Sequence, residues 1–505
     1  MSEKVKVKKK RIAISFSEKK FLLIIFLLAL ILRLYKITNP VLDWHAFRQA
    51  DTASVTREFL KQGINLLEPK YHDLSNIQSG FDNPNGYRMV EFPFINAGIA
   101  FILKLTSLPL VPTSRFVSVL FSLGTLFSLF FLVKMLSGKT TAYLTSLSFV
   151  LLPYSIFYSR VVLPEPAFLF FSCFSLFTFA KFLEKARFKF FLISLISLAL
   201  SLLLKPFVAF LAPVYFALTW NKYKFKTFLR FKFYLFAILS VIPFFLWRYW
   251  IVKFPEGIPA SDWLFNSDHL RFKGAWFRWL FYERISKLIL GFFGTIFLPF
   301  NFLNKEKDIL VYGAWWLGIM AYFAIVSTGN IRHDYYQVLT IPIICISVAR
   351  GVVVLRKLIA NYLKNIELKE KFNKINLAQN IHQKIANISI LVLYMLSLTF
   401  AWREVKGYYN VNHWEYYRTG LVADEILPKD AKVIAHAMGD TQFLFQTNRR
   451  GWPIGFDIEE KIKMGANYYL TTSYDGEAQE LEKQYLTVSK TKEYLILDLT
   501  QEIVE

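Results

Sequence analysis

The sequence contains two cysteines and carries little charge for its length. Asp, Glu, Lys and Arg together make up 19% of 505 residues, less than a soluble domain of this size needs for its surface. Cys173 and Cys345 both lie inside apolar runs, which excludes a disulfide framework. The sequence has no P-loop and no glycine-rich dinucleotide motif, which argues against a soluble nucleotide cofactor. It also has no Cys/His cluster with metal-ligand spacing and no repeat of solenoid period.

Long uncharged apolar runs recur along most of the chain. Hydrophobic residues make up 54% of the sequence, and this pattern indicates a polytopic membrane protein. The net charge of +23 could suggest nucleic-acid binding. However, the basic residues form short clusters between apolar runs, as the positive-inside rule predicts for cytoplasmic loops. We therefore expect no nucleic-acid partner and place the protein in the cell membrane.

The basic clusters also predict the topology. The N-terminus is basic, and the apolar run at 21–35 lacks a cleavage site, so we interpret it as a retained first span with a cytoplasmic N-terminus. Residues 92–111 are nearly apolar enough to span. If they did, the basic loops 221–232 and 356–384 would face outward. The charge rule therefore predicts that 92–111 lies in the interface or re-enters the membrane.

The fold class predicted from these patterns is an α-helical polytopic membrane domain, residues 1–402, followed by a small soluble α/β domain at 403–505 on the outer side. About eleven spans are expected. After the first span they fall near 115–136, 140–158, 166–183, 190–204, 206–220, 233–252, 288–303, 309–328, 338–355 and 386–402. In the tail we predict strands at 432–436, 468–472 and 494–497, and helices at 458–465 and 476–485.

A dense polar segment follows the first span, within the predicted first outer loop at 39–92. Its sequence at 42–59 is LDWHAFRQADTASVTREF. A helical pattern covers 52–62, which places Asp51 at a helix start, where free backbone N–H groups hold a carboxylate ionised. Because ionisable groups are costly at membrane depth, the segment predicts a membrane-embedded active site. Its candidate residues are Asp43, His45, Arg48, Gln49 and Asp51.

With this topology, further polar residues converge on the outer face. A lipid-phosphate-linked sugar would need cations to hold its phosphate leaving group and one carboxylate to take the proton of an acceptor hydroxyl. A single base in a single displacement predicts inversion at the sugar. The residues that converge are Glu91, Arg160, Glu165, Lys205, Arg332, His333, Tyr335 and Tyr336.

Several of these residues also have structural interpretations. Arg48 and Asp51 stand i,i+3 and could pair on a helix surface. Arg160 and Glu165 could mark a span end, and Lys205 could be a lysine that reaches to the interface. A divalent metal bound by Asp51 and Glu165 has no further support in the sequence.

Five segments in this order resemble the GT-C superfamily of membrane glycosyltransferases, closest to family 39, which is related to protein O-mannosyltransferases and to the lipid A aminoarabinose transferase. The segments are HAFRQADTASVTREF at 45–59, EFPF at 91–94, SRVVLPEPAFLF at 159–170, KPFVAFLAP at 205–213 and RHDYYQVLTIP at 332–342. The resemblance implies a polyprenyl-phosphate sugar donor, a catalytic aspartate in the first outer loop and inverting transfer.

The chain departs from these relatives at three places. Phe47, Arg48 and Gln49 stand near the position where many relatives have an Asp-Glu pair, which leaves open whether the base is Asp51 or Asp43. The residues at 92–94 replace a Lys-Pro-Pro-Leu motif, so Arg48 or Lys205 would have to bind the phosphate instead. Glu165 stands where Asp is commoner.

These arguments assign the candidate residues to three roles. The catalytic candidates are Asp51, Asp43 and Glu165; the phosphate-binding candidates are Arg48, Arg160, Lys205, Arg332 and His333; and the substrate-binding candidates are His45, Gln49, Glu91, Tyr335 and Tyr336. The expected partners are the lipid-linked donor, membrane lipid and a glycan, lipid or protein acceptor.

Two alternatives stand beside this interpretation. A transporter or flippase of lipid-linked sugars would show inverted repeats and mid-span charges, and the sequence shows neither. A scaffold that displays the tail would not need a first loop rich in carboxylates.

Overall fold

The computed structural model of the protein describes residues 16–303, 308–369 and 381–503. The basic residues 1–15 and the centre of the basic loop 356–384, residues 370–380, lie outside the described residues. Their predicted cytoplasmic placement therefore remains a prediction. The described chain is a bundle of apolar helices followed by a small α/β domain, as the fold class predicted.

Apolar helices, several of them joined by 3-10 turns, build the membrane domain. They form where uncharged runs of Leu, Ile and Phe satisfy their backbone groups internally, as a bilayer requires. In chain order they are α1 (Phe16–Arg33), α2 (Ala46–Gln62), α3 (Phe94–Thr106), α4 (Leu110–Leu151), α5 (Pro153–Tyr158), α6 (Glu165–Lys185), α7 (Phe188–Leu204), α8 (Ala212–Tyr223), α9 (Phe231–Ile251), α10 (Trp263–Asn266), α11 (Gly274–Phe277), α12 (Phe297–Phe302), α13 (Ile309–Ile325), α14 (Ser327–Arg332), α15 (Ile341–Lys369) and α16 (Ile381–Val405).

Fewer helices than predicted are long enough to cross a membrane without a break. Within the described residues five helical segments qualify, and a pair of helices bent by 110° adds a sixth. The expected number of about eleven spans is therefore not confirmed. The six segments are Leu110–Leu151, Glu165–Lys185, Phe231–Ile251, Asp334–Asn365, Ile381–Ile426 and the bent pair Gly274–Ile289 with Phe293–Phe302.

The difference has local causes. α4, which counts once among these segments, consists of two helices joined by a kink at Gly138, with φ of 85°, and covers most of the predicted spans 115–136 and 140–158. The predicted span 206–220 is divided into a 3-10 turn at Pro206–Leu211 and the short α8. α7 has 17 residues, or about 26 Å at about 1.5 Å per residue, somewhat less than the ~30 Å hydrocarbon core.

The segment 92–111 forms α3, a helix of 13 residues. At about 1.5 Å per residue it reaches about 20 Å, too short to cross the bilayer core. It packs against α2, where the Asn96 amide donates to the Thr52 carbonyl at 2.8 Å. Its length agrees with the interfacial placement that the charge rule predicts.

The tail is a five-stranded sheet with flanking helices. The strand order is β2-β1-β3-β5-β4, with β2, β1 and β3 parallel and β5 antiparallel to both β3 and β4. The elements are α17 (Trp414–Ile426), β1 (Lys432–His436), α18 (Thr441–Gln446), β2 (Arg450–Trp452), α19 (Ile458–Lys463), β3 (Tyr468–Thr471), α20 (Gly476–Gln484), β4 (Tyr485–Lys490) and β5 (Leu495–Glu502).

Three of the strands coincide with predicted ones because each is a short, buried apolar run. The other two were not predicted. β2 has only three residues and contains a glycine, and β4 alternates buried and exposed positions at the sheet edge. Neither gives a continuous apolar signal.

The first outer loop pairs with the edge of this sheet through a single bridge between Asp73 and Gly451. The Gly451 N–H donates to the His72 carbonyl at 2.9 Å, and the Leu74 N–H donates to the Gly451 carbonyl at 2.8 Å. A side chain at Gly451 would place its Cβ 1.7 Å from the Val433 carbonyl oxygen, so the sequence needs glycine there. The outer loop and the tail are therefore packed as one unit.

Candidate active site

A cavity of about 790 Å³ lies where the first outer loop, the ends of α7 and α9 and the tail meet. The membrane helices contribute mainly apolar side chains to its lining, and the loop and tail contribute mainly polar ones. The lining from the membrane helices includes Leu202, Leu203, Phe244 and Trp247 together with the cations Lys205 and Arg248, and the polar lining from the loop and tail includes Arg48, Asp51, Gln78, Arg88, Glu91, Asp440 and Thr441.

Helix α2 carries the first two site residues. It begins at Ala46 after His45, which adopts a left-handed conformation with φ of 56°. Asp51 therefore lies inside the helix, and the prediction that it caps a helix is wrong. The helix begins with an additional turn, residues 46–51, and that turn is too polar to show the helical pattern that starts at residue 52. Arg48 and Asp51 both line the cavity, but each forms an ion pair with a different residue, so they are not a surface pair.

Asp51 is almost fully buried and accepts three contacts. The Arg88 guanidinium lies 3.0 Å from Oδ2, and the Gln78 amide donates to the same oxygen at 3.0 Å. The Thr441 hydroxyl donates to Oδ1 at 2.8 Å. The carboxylate is thus held by groups from the outer loop and from the tail. Sequence analysis missed these three partners, and only Arg88 had a signal, as a cation close to Glu91.

Glu91 lies between two cations. Its Oε1 accepts a short hydrogen bond from Arg48 and lies 3.2 Å from the Lys205 ammonium. Burial alone would raise the pKa of Glu91, but Arg48 and Lys205 outweigh it and hold that pKa below its usual range. Glu91 is therefore a weak base that positions the two cations.

Lys205 enters the cavity because of its neighbour in the chain. The residue before a proline is disfavoured in helical conformations, so α7 ends before Pro206 and Lys205 is extended, with φ of −147°. Its ammonium also lies 3.5 Å from Glu165, which does not line the cavity itself. Glu165 thus helps to hold Lys205, one of the phosphate-binding candidates, in position.

Arg248 is a cation that the sequence analysis missed. It lines the cavity from α9, and among the described residues it has no hydrogen-bond or ion-pair partner. Its signal in the sequence was weak, a single basic residue near the outer end of a predicted span. Among the cations that line the cavity, Arg248 could therefore bind an anion without first losing another contact.

Three candidates lie outside the cavity, in a buried group that we call the Asp43 cluster: Asp43, Gln49, Arg115 and Arg160. Asp43 Oδ2 lies 2.8 Å from Arg160 and 3.1 Å from Arg115, and Oδ1 accepts a hydrogen bond from the Gln49 amide at 2.7 Å. Arg115 was not predicted. The cluster holds the start of the outer loop against α4 and the segment before α6, so the structure does not bring Asp43, Gln49 or Arg160 to the cavity.

Some residues of the segment 332–336 line the cavity, and others lie outside it. His333, Tyr335 and Tyr336 line the cavity. Arg332 is half-exposed and forms an ion pair with Asp268 outside it. Burial, followed by the charge of His45, lowers the pKa of His333 to about 4, so at neutral pH it is uncharged and does not serve as a phosphate-binding cation.

His45 itself lies behind the cavity wall and contacts Asp334 at 2.5 Å. The carboxylates proposed for a metal are each held by a cation: Asp51 by Arg88, and Glu165 by Lys205. Among the described residues no group of three or more His, Cys, Asp or Glu is placed to hold a metal ion.

A first prediction distinguishes Asp43 from Asp51. Asp43→Asn leaves Arg115 and Arg160 buried without a carboxylate, which should cost about 3–5 kcal/mol of stability. Thermal unfolding of the purified protein should show a lowered midpoint, whereas Asp82→Asn in the exposed part of the loop should not. An unchanged midpoint together with lost activity would instead assign Asp43 to the chemistry.

Comparison with known proteins supports the family resemblance. The family described as dolichyl-phosphate-mannose-protein mannosyltransferase matches residues 91–250. This range includes Glu91, Glu165, Lys205 and Arg248, whereas Asp51 precedes it. None of the curated proteins matches the sequence.

Solved structures share the fold at low sequence identity. ArnT from Cupriavidus metallidurans bound to undecaprenyl phosphate matches with a TM-score of 0.60 and 13% identity over 95% of this chain and 98% of that chain. AglB from Archaeoglobus fulgidus, in complex with an inhibitory peptide and a dolichol-phosphate, has a TM-score of 0.53 and 11% identity over 91% and 70%. The arabinofuranosyltransferase AftD from mycobacteria has a TM-score of 0.56 and 10% identity over 97% and 40%.

These matches cover nearly the whole chain, membrane helices and tail alike. They confirm the predicted fold class and the predicted resemblance. The chain therefore has the fold of the GT-C membrane glycosyltransferases, and residues 91–250 match the mannosyltransferase family of that superfamily.

Proposed function

We propose that the protein transfers a sugar from a polyprenyl-phosphate donor to an acceptor hydroxyl in this cavity, with inversion at the sugar. The observation that carries the proposal is that apolar side chains of the membrane helices line the same cavity as several cations and a carboxylate. A lipid phosphate needs both surfaces at once. ArnT and AglB, which share the fold, have been solved with undecaprenyl phosphate and a dolichol-phosphate.

Three cations are placed for the donor phosphate. Arg48 and Lys205 meet at Glu91, and Arg248 lies in the same cavity wall with no partner in the described chain. As the bond between sugar and phosphate breaks, negative charge grows on the phosphate, and fixed cations in a water-poor site stabilise that charge. The apolar lining from α7 and α9 accommodates the first part of the lipid chain.

Asp51 is the proposed base. It lies in the cavity wall, whereas Asp43 is enclosed by arginines outside it. Glu91 also faces the cavity, but two cations lower its proton affinity. Asp51 would take the proton of the acceptor hydroxyl as that oxygen attacks the anomeric carbon. A single carboxylate acting in one displacement gives inversion.

The acceptor would enter from the tail side. Residues 438–441, which follow β1, line the cavity, as does Asp51. Burial, followed by the nearby charge of Asp51, raises the pKa of Asp440. An acceptor there would lie beside Asp51, away from the lipid. The acceptor is a glycan, a lipid or a protein.

The cavity is proposed to face the outer side of the membrane. α7 follows the basic segment 185–189 and ends at the cavity with Leu204; α9 follows the basic loop 221–232 and reaches the cavity with Arg248. The basic loops therefore lie at the helix ends remote from the cavity. Since such loops stay in the cytoplasm, the cavity and tail face outward.

Cysteine labelling tests this orientation. Cys173 and Cys345 are fully buried, so a new cysteine should dominate labelling. Ser473→Cys, exposed in the tail, should react with a membrane-impermeant maleimide on intact cells. Lys226→Cys, exposed in the basic loop, should react only after permeabilisation. The reverse pattern would place the cavity on the cytoplasmic side.

Loss of a cation should weaken donor binding. Arg248→Gln and Lys205→Gln should each reduce affinity for undecaprenyl phosphate about 10- to 100-fold, because a charge-assisted contact contributes about 1.5–3 kcal/mol. Native mass spectrometry measures the affinity. Lys253→Gln is the matched control, because Lys253 packs on Trp250 outside the cavity. If both site variants bind like Lys253→Gln, the phosphate lies elsewhere.

Asp51→Asn tests the base. Asn keeps the shape and can still accept from Thr441, but it cannot take a proton. Because it also leaves Arg88 without a carboxylate, turnover is measured per folded protein, with the unfolding midpoint recorded alongside. Turnover of a polyprenyl-phosphate sugar should fall about 10²–10⁴-fold with donor affinity retained. Glu58→Gln, two turns further along α2 and outside the cavity, should leave turnover unchanged. Normal turnover in Asp51→Asn with loss in Glu91→Gln would move the base to Glu91.

A further inference from the structure

Asp334 is the most heavily hydrogen-bonded carboxylate near the cavity. It is 1% exposed and lies just before Tyr335 and Tyr336. His45 Nε2 lies 2.5 Å from Oδ1, the Tyr158 hydroxyl donates to the same oxygen at 2.6 Å, and the Trp44 indole donates to both carboxylate oxygens at 3.1 and 3.2 Å.

A further hydroxyl, that of Tyr408, donates a short hydrogen bond to Oδ2 of Asp334. Tyr408 lies in the 3-10 turn Lys406–Tyr409, between the last membrane helix and the tail. Its ring stacks on that of Trp44 at 4.7 Å, and its carbonyl accepts from the Trp44 N–H at 3.0 Å. The Asp334 carboxylate thus accepts hydrogen bonds from side chains of the outer loop, of α5 and of the connection to the tail.

The contact with His45 lies at a strained point of the backbone. His45 is not glycine, yet it has φ of 56° and ψ of 36°, a conformation that costs L-residues about 1–2 kcal/mol. Such strain persists only where the surroundings fix it. His45 directly precedes α2, and its carbonyl accepts from the N–H groups of Arg48 and Gln49 at 3.1 and 3.2 Å.

The conformation of His45 therefore sets the rotation of α2. Successive residues of an α-helix differ by about 100° around the axis, because a turn has 3.6 residues. A change in the first turn would rotate Arg48 away from Glu91 and out of the cavity wall. In contrast, Arg248 lies on α9 and does not depend on this turn.

We propose that Asp334 is a positioning residue for donor binding: it fixes the left-handed turn at His45 and so directs Arg48 into the phosphate-binding part of the cavity. This inference rests on the proposed function, since it concerns the same phosphate. Asp334 does not line the cavity and acts only through α2.

The chemistry of the position favours aspartate. An ionised carboxylate only accepts hydrogen bonds and offers about four lone-pair sites, whereas the Asn side chain has one oxygen and an NH₂ group that donates. In Asp334→Asn one of the two oxygens becomes an NH₂ group, so either Tyr408 or the pair His45 and Tyr158 loses its acceptor, and the contacts that hold the turn at His45 are weakened.

The experiment measures undecaprenyl phosphate binding to the full-length protein by native mass spectrometry. Asp334→Asn should weaken binding about tenfold, and Asp334→Glu, which keeps a carboxylate, should recover part of the loss. Asp308→Asn is the matched control: Asp308 is another buried carboxylate, which pairs with Arg350 away from the cavity. It removes a buried charge without touching α2, so binding by the folded fraction should be unchanged.

A double-mutant cycle separates positioning from general destabilisation. If Asp334 acts through Arg48, adding Asp334→Asn to Arg48→Gln should cause no further loss, whereas its effect in Arg248→Gln should be additive. Wild-type affinity in Asp334→Asn, or a loss that is equal in both backgrounds, would overturn the inference. A wild-type protein that does not bind undecaprenyl phosphate would instead overturn the proposed function.

Discussion

The structure depends on compensation of charges that are buried among apolar helices. An ionised group away from water needs a partner of opposite charge or several hydrogen bonds. The Asp43 cluster meets this need with two arginines, and Asp51 meets it with Arg88, Gln78 and Thr441. Because these partners come from α4, the segment before α6, the outer loop and the tail, the buried carboxylates connect separate parts of the chain.

The cavity is where this compensation is incomplete. Glu91 contacts both Arg48 and Lys205, and Lys205 also lies 3.5 Å from Glu165, whereas Arg248 in the cavity lining has no carboxylate partner among the described residues. The positive charge of Arg248 lies beside apolar side chains of α7 and α9. An amphipathic anion satisfies both features, whereas a soluble anion would satisfy only one.

Some site residues could be predicted from the sequence because their immediate neighbours in the chain mark them. Glu91 and Lys205 were identified because each ionisable residue stands at the edge of an apolar run. Arg160 looked equivalent by the same criterion, yet it points into the Asp43 cluster, because a pattern along the chain does not say which way a side chain faces. Thr441 had no signal, since its role depends on a contact between residues 390 positions apart. The predicted number of spans is not confirmed for a related reason: the run at 206–220, which hydropathy alone counts as continuous, is divided into a 3-10 turn and a short helix.

The pairing of the outer loop with β2 has a consequence for biosynthesis. The loop is made well before the edge it pairs with, at Gly451. Until then Asp51 lacks Thr441, and the cavity lacks its tail side. A chain made only as far as the last membrane helix therefore lacks part of the cavity lining. The tail must fold onto the outer loop before the cavity has all its described residues in place.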